Sequence, residues 1–126
     1  DWVFAALGDP YNEIGAWRHI AKALKPSGAC VFIVPSYVWA SKFRKSSNKE
    51  VVGKARFDLS TGESILLPST VLSSDKQQTM ISNVGLAMKR LDHVYVRDLP
   101  RVRSKKISQI LNEDDEILDA YVIKKT

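Results

Sequence analysis

The residue types best suited to chemistry stand together near the start of the chain, where Gly8, Asp9, Pro10, Tyr11 and Asn12 follow directly on the apolar run Trp2 to Leu7. An aspartate at the end of a strand can orient a nucleophile or accept its proton, and a tyrosine beside it can line a pocket. The competing reading is a plain turn, in which Asp9 caps the following helix and Tyr11 packs on the sheet end. Ser36, Tyr37 and Trp39 follow a second apolar run, Ala29 to Val34, and are expected at the same mouth. Core packing is expected of Trp17 and Trp39, because large aromatics in a short amphipathic helix turn inward. Arg44 and Arg56 are candidates for holding an anionic substrate.

The elements that must position these residues follow from apolar periodicity. Trp2 to Leu7 is wholly apolar and is stopped by Gly8 and Pro10, which predicts a buried strand. Ile14, Trp17, Ile20, Ala21 and Leu24 then recur at helical spacing, with Asn12 as the expected N-cap and Lys25-Pro26-Ser27-Gly28 as the stop. Ala29 to Val34 is again a short apolar run. Strand, helix and strand, both strands apolar on both faces, make a βαβ unit of parallel strands covered by helices on each side. Ser36 caps a helix running to about Arg44, and residues 45–50 form a polar loop. A β-hairpin is expected at 54–67 around Ser60-Thr61-Gly62. Downstream come a helix from Asp75 to Lys89, a strand from His93 to Asp98, a short helix from Lys105 to Leu111 and a last strand from Leu118 to Lys124. There is no internal repeat.

Composition bounds the function. A chain of 126 residues, 44% hydrophobic, fits one domain with one core. Its longest apolar runs fall far short of the roughly 20 residues that cross a bilayer, so no membrane is expected. Cys30 is the only cysteine, which excludes an internal disulfide and suits a reducing cytoplasm. No metal site is expected, because His19 and His93 have no carboxylate or cysteine at ligand spacing. Nineteen Lys and Arg against fourteen Asp and Glu give +5, with basic residues bunched at Lys42 to Arg56 and Arg97 to Lys106. A solvated basic face and an anionic partner are both compatible with that, including nucleic acid.

The stretch WVFAALGDPYN, then WRHIAKALKPSGACVFIVPS, resembles the second half of the Rossmann-like S-adenosylmethionine-dependent methyltransferases. In that family a fourth strand ends in a substrate-side loop, a helix runs into an L-K-P-G-G turn, and a fifth strand follows. The turn is Leu24-Lys25-Pro26-Ser27-Gly28 in this sequence, with serine for the first glycine. The downstream order is also similar, with an insertion near the active-site mouth at about 50–70, a helix, a sixth strand and a final strand hairpinned against it. Gly8-Asp9-Pro10-Tyr11 resembles the D-P-P-Y motif of the members that methylate exocyclic amines of nucleobases, with one proline absent and Gly8 before the acid.

The resemblance implies an α/β fold, S-adenosylmethionine as cofactor, Leu7 and Gly8 beside it, Asp9 and Tyr11 as catalytic residues, and Asn12, Ser36, Tyr37 and Arg44 toward the substrate. Methyl transfer needs mainly in-line positioning, so the class demands no nucleophilic residue. The family's glycine-rich cofactor loop has no counterpart, since Gly8, Gly15, Gly28, Gly53, Gly62 and Gly85 are all isolated. The expectation is a single partial domain over 1–126, the substrate-side half, inactive alone. Its Trp2 to Leu7 edge should then be covered by the missing N-terminal half or by a second copy. A non-catalytic α/β binding or dimerisation module is the alternative, and a nucleic-acid-binding fragment is a third.

Overall fold

The apolar runs become strands where glycine or proline bounds them, and the amphipathic stretches become helices. In the computed structural model, residues 1–46, 53–100 and 111–126 are described, with the side chains of 45 and 46 excepted. Strand β1 (Trp2–Ala6) leads through a 3-10 turn at Asp9–Tyr11 to helix α1 (Ile14–Ala23), and β2 (Ala29–Pro35) pairs with β1 in parallel. Helix α2 (Tyr37–Ser46) precedes a separate two-stranded hairpin, β3 (Lys54–Asp58) and β4 (Ser64–Pro68). Helix α3 (Ser74–Ser82) then leads into the long strands β5 (Leu86–Tyr95) and β6 (Glu116–Lys125). The main sheet has the order β1-β2-β6-β5, with β6 antiparallel to both neighbours.

One face of this sheet carries the core. Cys30, Phe32 and Val34 of β2 and Tyr121 and Ile123 of β6 are buried with Trp17 and Leu24 from the α1 segment and Ile81 from α3. The Trp17 and Phe32 rings meet edge to face, 4.9 Å between centroids. Each such large side chain removed from water contributes about 1.5–3 kcal/mol. The turn Lys25 to Gly28 joins α1 to β2 under a tight constraint: a Cβ on Gly28 would stand 2.9 Å from the Asp1 carbonyl oxygen and 3.1 Å from Leu24 Cδ1. Only glycine fits that approach without a shift.

Several expectations change. Trp2 to Leu7 is not buried on both faces: β1 is an edge strand whose Trp2 and Phe4 are 71% and 66% exposed. Asn12 does not cap α1. Glu13 holds the N-cap position, without a side-chain bond. The helix expected from Asp75 to Lys89 ends at Ser82, because Gly85 takes a φ of +77° and the chain turns into β5. Leu86, Ala87 and Met88 pair with Lys125, Lys124 and Ile123, so ladder hydrogen bonds override their helix-like spacing. The strand expected at His93 to Asp98 is the tail of β5, and Val96–Asp98 is a 3-10 turn. The helix expected over Lys105 to Leu111 falls almost wholly outside the described residues. The hairpin forms at its expected place, with Gly62 at φ +87° in the turn. Among the described residues no helix is long and apolar enough to cross a membrane.

Cys30 is fully buried, and burial pushes its thiol up to about 11. The unfolded chain releases that proton near the ordinary value of 9.0 and the folded chain holds it to about 11. The associated stability is therefore complete below pH 9 and is lost as pH climbs through 11. Melting temperature measured across this window should fall with pH, and less steeply for Cys30→Ala.

Candidate functional site

At the carboxyl end of β1 the backbone leaves the sheet through Leu7, whose φ of +50° lies in the left-handed region that costs a residue with a Cβ roughly 1–2 kcal/mol. Gly8 follows under the Phe32 ring. A Cβ there would stand 2.4 Å from Phe32 Cε2, so Gly8 is required for packing. Its amide donates to the Ile33 carbonyl at 3.0 Å, which extends the β1–β2 pairing and aims Asp9 across the strand ends.

Three segments meet at Asp9. Ser69, just after β4, donates its hydroxyl to Asp9 Oδ2 at 2.6 Å, and the Thr70 amide donates to the Asp9 carbonyl at 2.8 Å. Arg44 of α2 donates to the Ser69 hydroxyl and, at 3.4 Å, to its carbonyl. Arg44 is only 5% exposed, and burial lowers its guanidinium below the ordinary value while the Asp9 carboxylate acts to raise it. An acid, a hydroxyl and a buried cation therefore form one connected chain. Asp9 does not cap a helix, so the plain-turn reading of its side chain is replaced by this link.

The chain borders a cleft of about 230 Å³ walled by Trp39, Phe43 and Phe57, with Leu7 and Pro35 at its sheet side. Trp39 and Phe43 stack at 5.2 Å with their planes 5° apart. Ligand pockets for drug-sized molecules run to roughly 300–1,000 Å³, so this one is sized for a compact group, with Asp9, Arg44, Arg56 and Ser69 as its polar lining. A larger and shallower hollow of about 520 Å³ lies between α1 and the Gly85 turn, lined by Arg18, Lys22 and Lys125. It contains no acid and lies away from Asp9.

The other expected site residues separate. Tyr11 is 75% exposed and does not line the cleft. Asn12 is buried in structural bonds: its amide donates to the Thr70 carbonyl at 2.9 Å and to Gln77 Oε1 at 2.7 Å, and its Oδ1 accepts from Trp17 Nε1 at 2.9 Å. Ser36 caps α2, its Oγ accepting from the amides of Val38 and Trp39 at 3.2 and 3.4 Å. Tyr37 donates its amide to Asp119 Oδ2. Ser69 carries no signal in the sequence, since nothing distinguishes it from the serines around it until the hairpin folds it over Asp9. Ser69→Ala should uncouple Asp9 from Arg44 and cost about 1–3 kcal/mol, visible as a lower urea midpoint with the m-value unchanged.

Comparison with known proteins rests on shape alone. No protein-family model and no curated protein matches the sequence. A solved structure of an S-adenosylmethionine-dependent methyltransferase from Clostridium acetobutylicum aligns over 99% of this chain and 58% of its own, with TM-score 0.58 and 11% identity. A Listeria monocytogenes protein assigned to the same enzyme class aligns over 99% of this chain and 60% of its own, with TM-score 0.62 and 11% identity. The fold is methyltransferase-like. The chain spans about three fifths of the length of these structures. In this methyltransferase-like sheet the Asp9 cleft lies beyond the carboxyl ends of β1 and β2, where open α/β sheets take their ligands. The residues present do not make a complete cradle for S-adenosylmethionine: the six glycines are isolated and Gly8 is closed against Phe32.

Proposed function

We propose that this chain is the C-terminal, substrate-side half of a class I S-adenosylmethionine-dependent methyltransferase domain, and that it is inactive alone. The observation that carries the reading is the open side of β1, an edge strand bearing exposed Trp2 and Phe4, in a chain that aligns end to end with three fifths of such enzymes. In this reading the missing half supplies the glycine-rich loop and covers that edge. Asp9 accepts or orients the proton of the methyl acceptor, held in register by Ser69 and Arg44, and Leu7 and Gly8 form the wall toward the cofactor. Trp39, Phe43 and Phe57 enclose a compact planar acceptor. Tyr11, Asn12, Ser36 and Tyr37 act as supports around the cleft, with Tyr11 free to close over a substrate. A reducing cytoplasm suits the buried, unpaired Cys30.

The test is to join this chain to an N-terminal half carrying a glycine-rich strand-loop-helix, built on one of the matched methyltransferases, and to titrate S-adenosylhomocysteine. Binding by the joined protein and none by either part supports the reading. Asp9→Asn in the joined protein should lower turnover more than it changes cofactor affinity.

A second reading, a non-catalytic dimerisation module, draws on the same edge with a second copy as its cover. The nucleic-acid reading is weaker, because Lys42, Arg56 and Arg97 each pair with an aspartate (Asp115, Asp58 and Asp114). Arg101, Arg103, Lys105 and Lys106 lie outside the described residues.

A further inference from the structure

His93 has no carboxylate at ligand spacing along the sequence, yet the β5–β6 ladder sets it directly opposite Asp119. Its Nδ1 lies 2.8 Å from Asp119 Oδ1 and 3.4 Å from Glu116 Oε2. One donor atom from each of the three residues falls within 4.8 Å of the others. All three come from adjacent strands, so their spacing is set by the sheet and not by a loop.

Among the described residues, His93 is the only ion-pair partner of either carboxylate. Asp119 is 5% exposed and Glu116 is half-buried. One imidazole can offset at most one of the two negative charges, and burying a charge is costly unless it is paired. A divalent cation balances both.

The spacing of the donors also suits a metal ion. Donors bound about 2.0–2.1 Å from a tetrahedral zinc ion stand about 3.3 Å from one another. The His93–Glu116 separation already has that value, and the His93–Asp119 pair needs to open by about half an ångström. Both carboxylates are also oriented by hydrogen bonds: the Tyr37 amide donates at 3.3 Å to Asp119 Oδ2, the oxygen other than the one facing His93, and the Ser36 hydroxyl donates at 3.4 Å to Glu116 Oε2, the oxygen that faces His93. Such outer hydrogen bonds orient the ligands of metal centres. His93 is about one-third exposed, which leaves a path for entry and room for water on the open side.

We propose that His93, Glu116 and Asp119 form a binding site for one divalent cation of the zinc type, with at least one coordination position left to water. The imidazole donor selects a first-row transition ion over magnesium or calcium, which prefer all-oxygen shells. Bound there, the ion ties the end of the β5–β6 ladder to the start of α2.

The experiment titrates Zn²⁺ alone and Co²⁺ alone into the purified chain, following heat, melting temperature and the visible absorption of cobalt. His93→Ala and Glu116→Gln are the variants, since both side chains are partly exposed and Asp119 is left in place. His19→Ala, on the exposed side of α1, is the control. The expected result is one ion per chain with micromolar affinity, a raised melting temperature, and binding weakened more than about 100-fold by His93→Ala and at least 10-fold by Glu116→Gln. The His19→Ala chain should bind as the parent does. No binding below millimolar metal, or binding that both site variants leave intact, would overturn the proposal.

Discussion

Asn12→Ala should lower the melting temperature of the chain by about 12 °C. The Asn12 amide group joins three segments: its nitrogen donates to the Thr70 carbonyl and to Gln77, and its oxygen accepts from Trp17 Nε1 and from Gln77 Nε2. Asn12, Trp17 and Gln77 are each 3% exposed or less, so water cannot replace the lost partners. Truncation strands the indole N–H and the Gln77 amide, and each orphaned buried group costs about 1–3 kcal/mol. A total of about 3 kcal/mol, at about 4 °C per kcal/mol for a domain of this size, gives the expected shift. Asn12→Asp keeps the acceptor for Trp17 but faces the Thr70 carbonyl with an oxygen, so it should recover little. A thermal melt within a few degrees of the parent would show that the brace does not hold the β1 loop to α3.

The second large effect concerns association. The open face of β1 carries Trp2 and Phe4, and the register sets Val31 and Ile33 of β2 beside Phe4 and Ala6. An unpaired apolar edge recruits another strand. The isolated 14.1 kDa chain should therefore scatter light as a dimer or larger species at tens of micromolar. Replacing both Trp2 and Phe4 with lysine should return it to a monomer. Each aromatic removed from water contributes about 2 kcal/mol, so the pair accounts for about 4 kcal/mol per chain, on the order of a thousandfold in association for each chain that buries it. Because both side chains are exposed in the single chain, the substitutions should leave its circular dichroism unchanged. A parent chain that is monomeric at high concentration would contradict the open-edge account.

What the sequence revealed and what it withheld have a common physical cause. The βαβ unit was legible because Trp17, Ile20 and Leu24 recur at helical spacing between two apolar runs, and because Lys25 to Gly28 is a turn in which the glycine is sterically required. Gly62 in the hairpin turn was equally legible. The Asp75 to Lys89 stretch misled because Met80, Ile81, Val84 and Leu86 fit a helical period, while the choice at Leu86 was made by pairing with β6, some 40 residues away in a ladder that local pattern does not encode. Exposure of β1 was hidden for a related reason: an apolar run signals that a strand is to be covered, not that this chain covers it. At the site, Asp9 and Arg44 could be singled out by type and place. Ser69 between them, and Glu116 and Asp119 around His93, depended on tertiary contacts between distant segments.

The central claim is that the chain has the substrate side of a methyltransferase-like domain without a working cofactor site. Titration calorimetry of S-adenosylhomocysteine into the purified chain, with light scattering on the same sample, tests it most directly. The account predicts no measurable binding and a species larger than one chain. Micromolar binding by the chain alone would mean that a cofactor pocket forms without a glycine-rich loop, and the half-domain reading would fall.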